Sequence, residues 1–419
     1  MATVSRRLPA RPHLDVPKRE ARELLVAWRE NQPEAMERVR QVHPRFRGTG
    51  EPVPGARAFR LSDAQRVVAS EYGFSSWAAL KKRIGSATAA GALQAAIERG
   101  DREAVVALLR GDPEMLHVPV SSGNWGPPMS HAANLGQLEI VQAVAELGAR
   151  DGQHAFERAV LQGRTECARW LHARGAKLEP GIIMGSCETL NVRGFQLLLE
   201  LGAPLVDAGG ERLAPLALVL ETYARNPSGR HAMLRLLADH GYELPDTPIM
   251  AFHRGDLARL RGHFRVEPGL LGRRFSLDEI YPAACGCAKG GRAGMHWTPI
   301  AGATLLHLAV DFREREIFEW LLAVGADVNA PASRDEAGFG AHTPLFNAVV
   351  SGPPGDSTFV AALLARGAAR DVRASLRKFL DWCERPRWHE AREVTPLEWA
   401  RTFPERNWVN TAAVELLES

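Results

Sequence analysis

A Gly-Ala pair closes segment after segment of this 419-residue chain. It falls at Gly148, Gly175 and Gly202, two intervals of 27, and again at Gly325 and Gly367, an interval of 42. Ahead of the pairs stand two apolar stretches at helical spacing, parted by a polar turn. The clearest copy, 302–330, reads GATLLHLAVDFREREIFEWLLAVGADVNA. A unit this short cannot bury its apolar face alone, so successive units must stack into one continuous core. The fold expected is all-α, a helical solenoid rather than a string of independent globules.

Other copies follow the same order of turn, helix, helix and Gly at 125–149, 152–176, 181–203 and 342–368, and 395–417 closes the array. Degenerate copies sit at 91–118, 212–244 and 248–271, making about nine units over 86–419. The pattern resembles the ankyrin repeat, whose mark is Thr-Pro-Leu-His-x-Ala with a closing Gly-Ala-Asp. Thr-Pro suits the tight turn that opens an inner helix. A small Ala lets two helices cross closely, and the Gly after the outer helix takes the left-handed conformation that ends it. The 27-residue spacing is shorter than the ~33 residues usual for such repeats. Those units are therefore expected to lack the projecting turn, or finger.

Three stretches tie the chain to a narrower group: LSDAQRVVASEYGFSSWAALKKRI at 61–84, the surroundings of EIYPAACGC and TPIAGATLLHLAVDF at 279–312, and DVRASLRKFL with HEAREVTPLEWA at 371–400. They resemble a family of bacterial ankyrin-repeat-containing proteins of unassigned activity. The resemblance implies a bacterial cytoplasmic scaffold and names no reaction.

Residues 1–85 read as a separate helical unit, a cap over the first repeat. Asp15 opens a helix with Ala21, Leu24, Leu25 and Trp28 on one face. Ser62 with Gln65 reads as a capping box for a helix over 63–72, Ser75 as the cap of the next, and 85–88 as a linker. This unit holds 17 Lys and Arg against 9 Asp and Glu, a net of +8, so the other 334 residues carry −5. The charges alternate along the first helices, which suits solvated faces better than a nucleic-acid stripe. At 45% hydrophobic and 24% charged, the chain is not of disordered composition. No stretch approaches the ~18 apolar residues of a membrane span. Five cysteines (Cys167, Cys187, Cys285, Cys287, Cys383) form no disulfide pattern and suit a reducing cytoplasm.

Insertions in a solenoid map to loops on one face, often the binding face. The long ones fall in the finger position of three successive units, at 271–300, 327–342 and 369–394, and are expected to form one composite surface. The first carries Glu279, Tyr281, His296 and Trp297. Asp311 and Phe312 follow at the end of the inner helix that carries LLHLA, expected to be exposed toward the fingers, and His342 precedes the next inner helix. The third insertion carries Arg373, Arg377 and Trp382. Arg373 and Arg377 are four apart, so a helix would present both on one side as a clamp for a carboxylate or phosphate. Trp388 is expected in a core. Cys285-x-Cys287 lacks ordinary zinc spacing and a local fourth ligand, so no metal and no cofactor is expected. His307, at the mark's His position, is expected to tie neighbouring turns together.

No nucleophile elbow, zinc-protease helix or dinucleotide fingerprint is present in the sequence. The expected role is recognition of a macromolecular partner, a protein first of all, through the concave face and the C-terminal fingers. The alternative is a pocket for a small anionic ligand, or an enzyme site, between fingers 271–300 and 369–394, with Glu279, Tyr281, His296, Asp311 and Arg373 converging. Nucleic acid and membrane are not expected as partners.

Overall fold

The computed structural model describes residues 6–9, 12–46, 59–121, 123–288, 297–350, 355–380, 387–404 and 406–419, the side chains of 86–88 excepted. The chain divides into two compact units, one of residues 1–159 with 166–176, the other of 160–165 with 177–419. Helices dominate both, as the repeat pattern demands.

In the first unit, α1 (Asp15–Arg29), α2 (Pro33–Val42) and α3 (Leu61–Glu71) enclose a core of Ala21, Leu24, Trp28, Val39, Phe46, Phe59 and Val67. The α3 helix starts two residues earlier than the Ser62 reading, because the Asp63 carboxylate accepts from the Arg60 N–H at 2.8 Å. Ser76, not Ser75, caps α4 (Trp77–Glu98), accepting from the Ala79 N–H. The α4 helix runs straight through 85–88. Ala87, Ala89, Ala90 and Ala92 supply enough helix propensity to carry the chain past Gly85 and Gly91. Then come α5 (Arg102–Gly111), α6 (Pro128–Leu135), α7 (Leu138–Glu146), α8 (Gly152–Leu161) and α9 (Thr165–Ala173). Inner helices α4 and α6 pack together, as do outer helices α5 and α7.

The second unit continues with α10 (Met184–Thr189), α11 (Val192–Glu200), α12 (Ala214–Glu221), α13 (Pro227–Asp239), α14 (Pro248–His253) and α15 (Leu257–Val266). A short α16 (Leu277–Ile280) precedes α17 (Leu305–Asp311), α18 (Arg315–Ala323), α19 (Pro344–Val349) and α20 (Thr358–Ala365). Two strands, β1 (Ala374–Leu380) and β2 (Arg387–Val394), lead to α21 (Pro396–Thr402) and α22 (Thr411–Glu418). Inner helices pack as α10 on α12 and as α17, α19 and α21 in succession; outer helices pack as α11 on α13 and α20 on α22. Thr-Pro opens α14 and α21 alike. Thr247 Oγ1 accepts from the Met250 N–H and Thr395 Oγ1 from the Glu398 N–H, so the degenerate unit at 248 and the closing unit share one turn chemistry. Gly325 (φ 89°) and Gly367 (φ 83°) end α18 and α20 in the left-handed conformation.

Candidate functional site

The three inserted fingers lie side by side, stitched by backbone hydrogen bonds. Phe275 and Ala303 form an antiparallel bridge that closes the base of the first. The Ser333 N–H donates to the Gly302 carbonyl at 2.9 Å, tying the second finger to the first. Within the second, Arg334 pairs with Gly340 across a turn, and the Gly340 N–H reaches the Ser375 carbonyl of β1 at 2.6 Å. Gly340 sits at φ 122°, and a Cβ there would lie 2.0 Å from the Ser333 oxygen, so only glycine permits this junction.

The third finger is not a loop with a helical face. It is an antiparallel β-hairpin in which Leu376 opposes Ala391 and Phe379 opposes Trp388. β-Branching is scarce here, but alternation is clear: Leu376, Leu380 and Ala391 are buried while Phe379, Trp388 and Arg392 face out. The hairpin's outer face carries an aromatic–arginine cluster. Phe379 and Trp388 touch at 5.3 Å between ring centroids. The Arg377 guanidinium lies over Phe339 at 4.8 Å and Trp388 at 5.5 Å, and Arg392 over Phe339 at 4.2 Å. Trp388, expected in a core, is 57% exposed. Its register opposite Phe379 turns it away from the inner face, where His389 stacks on Trp399 instead.

Between this hairpin and the first finger opens a cleft of about 1060 Å³. Phe275, Asp278 and Glu279 line one wall, Leu376 to Phe379 and Trp388 the other, with Gly302, Ser333 and Phe339 between. Glu279 is committed locally. Its carboxylate accepts from the Ser276 N–H at 2.8 Å and from Arg273 at 2.6 Å. Burial opposes its charge, but the Ser276 hydrogen bonds and the Arg273 guanidinium outweigh that and hold it below the usual carboxylate range. Arg377 donates to Asp335 at 2.7 Å. His342 lies at the cleft floor, buried, its carbonyl accepting from His307 Nε2 at 3.0 Å. The His307 ring thus joins two repeats. Burial lowers the pKa of His307 to about 4 and of His342 to about 3. His131 differs from His307: neither ring nitrogen has a hydrogen-bond partner among the described residues, and the ring packs on Trp125.

The other sequence candidates do not converge on this cleft. Arg373 lies at the hairpin base, bound to the Glu393 carbonyl and Glu398, so it forms no clamp with Arg377. The strand, unlike a helix, spreads the two along its length. Tyr281, Asp311 and Phe312 are fully buried rather than exposed to the fingers. Arg225, from the chain between α12 and α13, and Arg230, inside α13, reach over them and seal that end. Arg225 Nη2 meets Asp311 Oδ2 at 2.9 Å, and both guanidinium groups stack on the Phe312 ring, at 4.9 and 4.5 Å. His231 Nε2 lies 2.9 Å from Glu314, and His253 stacks on Tyr281. Burial lowers Arg230 to about 10 and raises Asp311 against the pull of Arg225. Sequence reading missed this cluster because its members come from three different repeats. Trp297 stacks on Trp408 at 3.6 Å. Beside it, Thr298 Oγ1 donates to the carbonyls of Phe346 in α19 and of Val350 just after it, and accepts from Trp399 Nε1. The Ala288 N–H binds Glu221 of α12. The described ends of the first insertion therefore bond to inner helices α12, α19 and α21. His296 and Trp382 lie outside the described residues. Cys285 and Cys287 are buried thiols, and burial pushes Cys285 up to about 11. Among the described residues no His, Cys, Asp and Glu group is arranged to hold a metal ion.

The ankyrin-repeat family model matches residues 301–333, the unit of α17 and α18 with the start of the second finger. Residues 301–333 therefore carry an ankyrin repeat. Among solved structures, the ankyrin array is similar to the human ASB11 ankyrin repeat domain, at 17% identity, over 70% of this chain and 98% of that one, with a TM-score of 0.26. No curated protein matches it. Among the described residues no helix of the array is long and apolar enough to cross a membrane.

Proposed function

We propose that this ankyrin-repeat chain is a recognition protein that binds another protein through its C-terminal fingers. One observation carries the reading. Phe379 and Trp388 are the two aromatics among the exposed large hydrophobic side chains of the described residues, and they touch each other beside the cleft. Trp and Arg set around a pocket are the residue types that dominate binding energy at protein interfaces. The inner-helix face, the other surface a repeat array offers, is contacted at α12, α19 and α21 by the described ends of the protein's own insertion. The binding surface accordingly shifts from the concave face to the hairpin and cleft. A small-anion pocket has less support, because Tyr281 and Asp311 are buried in the ionic cluster away from Glu279. The buried cysteines Cys187, Cys285 and Cys287 and the resemblance at 61–84, 279–312 and 371–400 fit a bacterial cytoplasm as the working compartment.

A photo-crosslinking amino acid placed at position 390, on the outer face beside Trp388, tests this in the native host. The expected result is one major crosslinked protein, lost when Trp388→Ala is added. Crosslinks that persist unchanged in Trp388→Ala, or none above an inactive-probe control, would remove the hairpin as the recognition surface.

A further inference from the structure

The hairpin presents a strand edge to the cleft as well as side chains. β1 pairs with β2 along one edge; along the other, the Ser375 carbonyl takes the Gly340 N–H and that pairing goes no further among the described residues. Backbone groups alternate in direction along a strand. With the Ser375 carbonyl turned toward Gly340, the N–H and C=O of Arg377 and Phe379 turn to the same side, into the cleft wall that Leu376 to Phe379 form. An edge of this kind is a template for pairing with another chain. Among the described residues it is neither blunted by proline nor covered by a helix, and it borders a cleft of about 1060 Å³.

The charges of the cleft select the occupant. Its lining carries Arg274, Arg334, Arg377 and Lys378 against Asp278, Glu279 and Asp335. Asp335 and Arg377 offset each other, and Glu279 is held by Ser276 and by Arg273 outside the lining, so Arg274 and Arg334 keep the balance positive. Arg274 donates its Nε to the Pro331 carbonyl, which satisfies a donor and cancels no charge. Arg392 adds another cation, stacked on Phe339 at the hairpin's outer face. The cleft is therefore cationic around an apolar floor of Phe275 and Phe339.

We propose that the partner enters as an extended acidic segment that adds a third strand to the free edge of β1. Arg377 and Phe379 exchange backbone hydrogen bonds with it, and its alternate side chains face the cleft cations. This deepens the recognition reading and rests on it. The mode supplies affinity from main-chain bonds and specificity from the pockets that take every second side chain.

The probe is a phage-displayed library of random dodecapeptides, selected on the full chain. Enriched peptides are expected to be rich in Asp and Glu and to carry no proline at alternate central positions. Binding of the best one should fall at least tenfold in Arg274→Glu/Arg334→Glu. Phe379→Ala removes a side chain, while Phe379→Pro also removes the cleft-facing N–H. The Pro variant should bind about five- to tenfold more weakly than the Ala variant, the size of one lost backbone hydrogen bond. Both must keep the wild-type circular dichroism. The peptide should also slow amide exchange at Arg377 and Phe379 by tenfold or more, a reading taken on the wild type and independent of any folding defect. Three results overturn the proposal: basic or uncharged peptides enriched, equal binding by the Pro and Ala variants, or unchanged exchange at Arg377 and Phe379. If these occur while a Trp388-dependent crosslink persists, the partner docks as a folded surface and only strand addition falls.

Discussion

Replacing Arg225 by Met tests how the repeats of the second unit are locked together. Asp311 is fully buried and the Arg225 side chain is 3% exposed, so each charge relies on the other. Met keeps most of the apolar stem and removes the stacking on Phe312 together with the bonds of Nη2 to Asp311 Oδ2, Nε to the Asp311 carbonyl and Nη1 to the Thr222 carbonyl, each 2.9 Å. Stranding one member of a buried pair costs about 3–5 kcal/mol, between two and four orders of magnitude in the folding equilibrium. The carboxyl then answers by taking up a proton. Burial already raises its pKa, and without the guanidinium the native value rises further above the unfolded value of about 3.9. Between those two values the native state holds a proton that the unfolded state lacks. Stability therefore falls as pH rises, by up to about 1.4 kcal/mol per pH unit, and the variant's deficit should shrink as pH drops toward 4. Because the chain has two compact units, the assay is native-state amide exchange in α17 across pH, not a single global midpoint. Arg225→Met/Asp311→Leu should recover most of the loss, since a well-packed apolar pair often replaces a buried ion pair at little cost. A single variant that costs under about 1 kcal/mol, or a double variant as unstable as the single, would refute the view that this pair holds the repeats together.

Burial lowers His253 to about 3, with Arg230 adding to the effect, His307 to about 4 and His342 to about 3. Their stabilisation is complete above the unfolded value of about 6.5 and is lost as pH falls toward 4 and 3; urea midpoints of the second unit should drop steeply below pH 6, and less so in His307→Gln. Gly340→Ala places a Cβ against the Ser333 oxygen at an unfavourable φ and should cost more than about 2 kcal/mol. Faster amide exchange at 333–340 and 374–376 would register it, and wild-type exchange there would contradict the stitched-finger geometry. Trp388→Ala removes an exposed ring and should change stability by less than about 1 kcal/mol while costing the partner at least tenfold in affinity. Calorimetry and the crosslink together separate the two effects.

The repeat grammar was legible because it is local. Thr-Pro turns, apolar positions at helical spacing and closing glycines each act within a few residues, so they determined the helix pairs and their stacking. That three fingers would share one surface was also readable, since insertions at equivalent places in successive repeats must be neighbours. The hairpin was not. Arg373 and Arg377 look the same on a helix and on a strand over four residues, and only pairing with 387–394 decides between them. Nor was the fate of Asp311 and Phe312 readable, because Arg225 and Arg230, more than eighty residues earlier, close over them. Local sequence determined which elements form and in what order. Tertiary structure alone decided which charges are buried and which aromatics stay in water, because a charge is buried by its neighbours in space, and those come from other repeats.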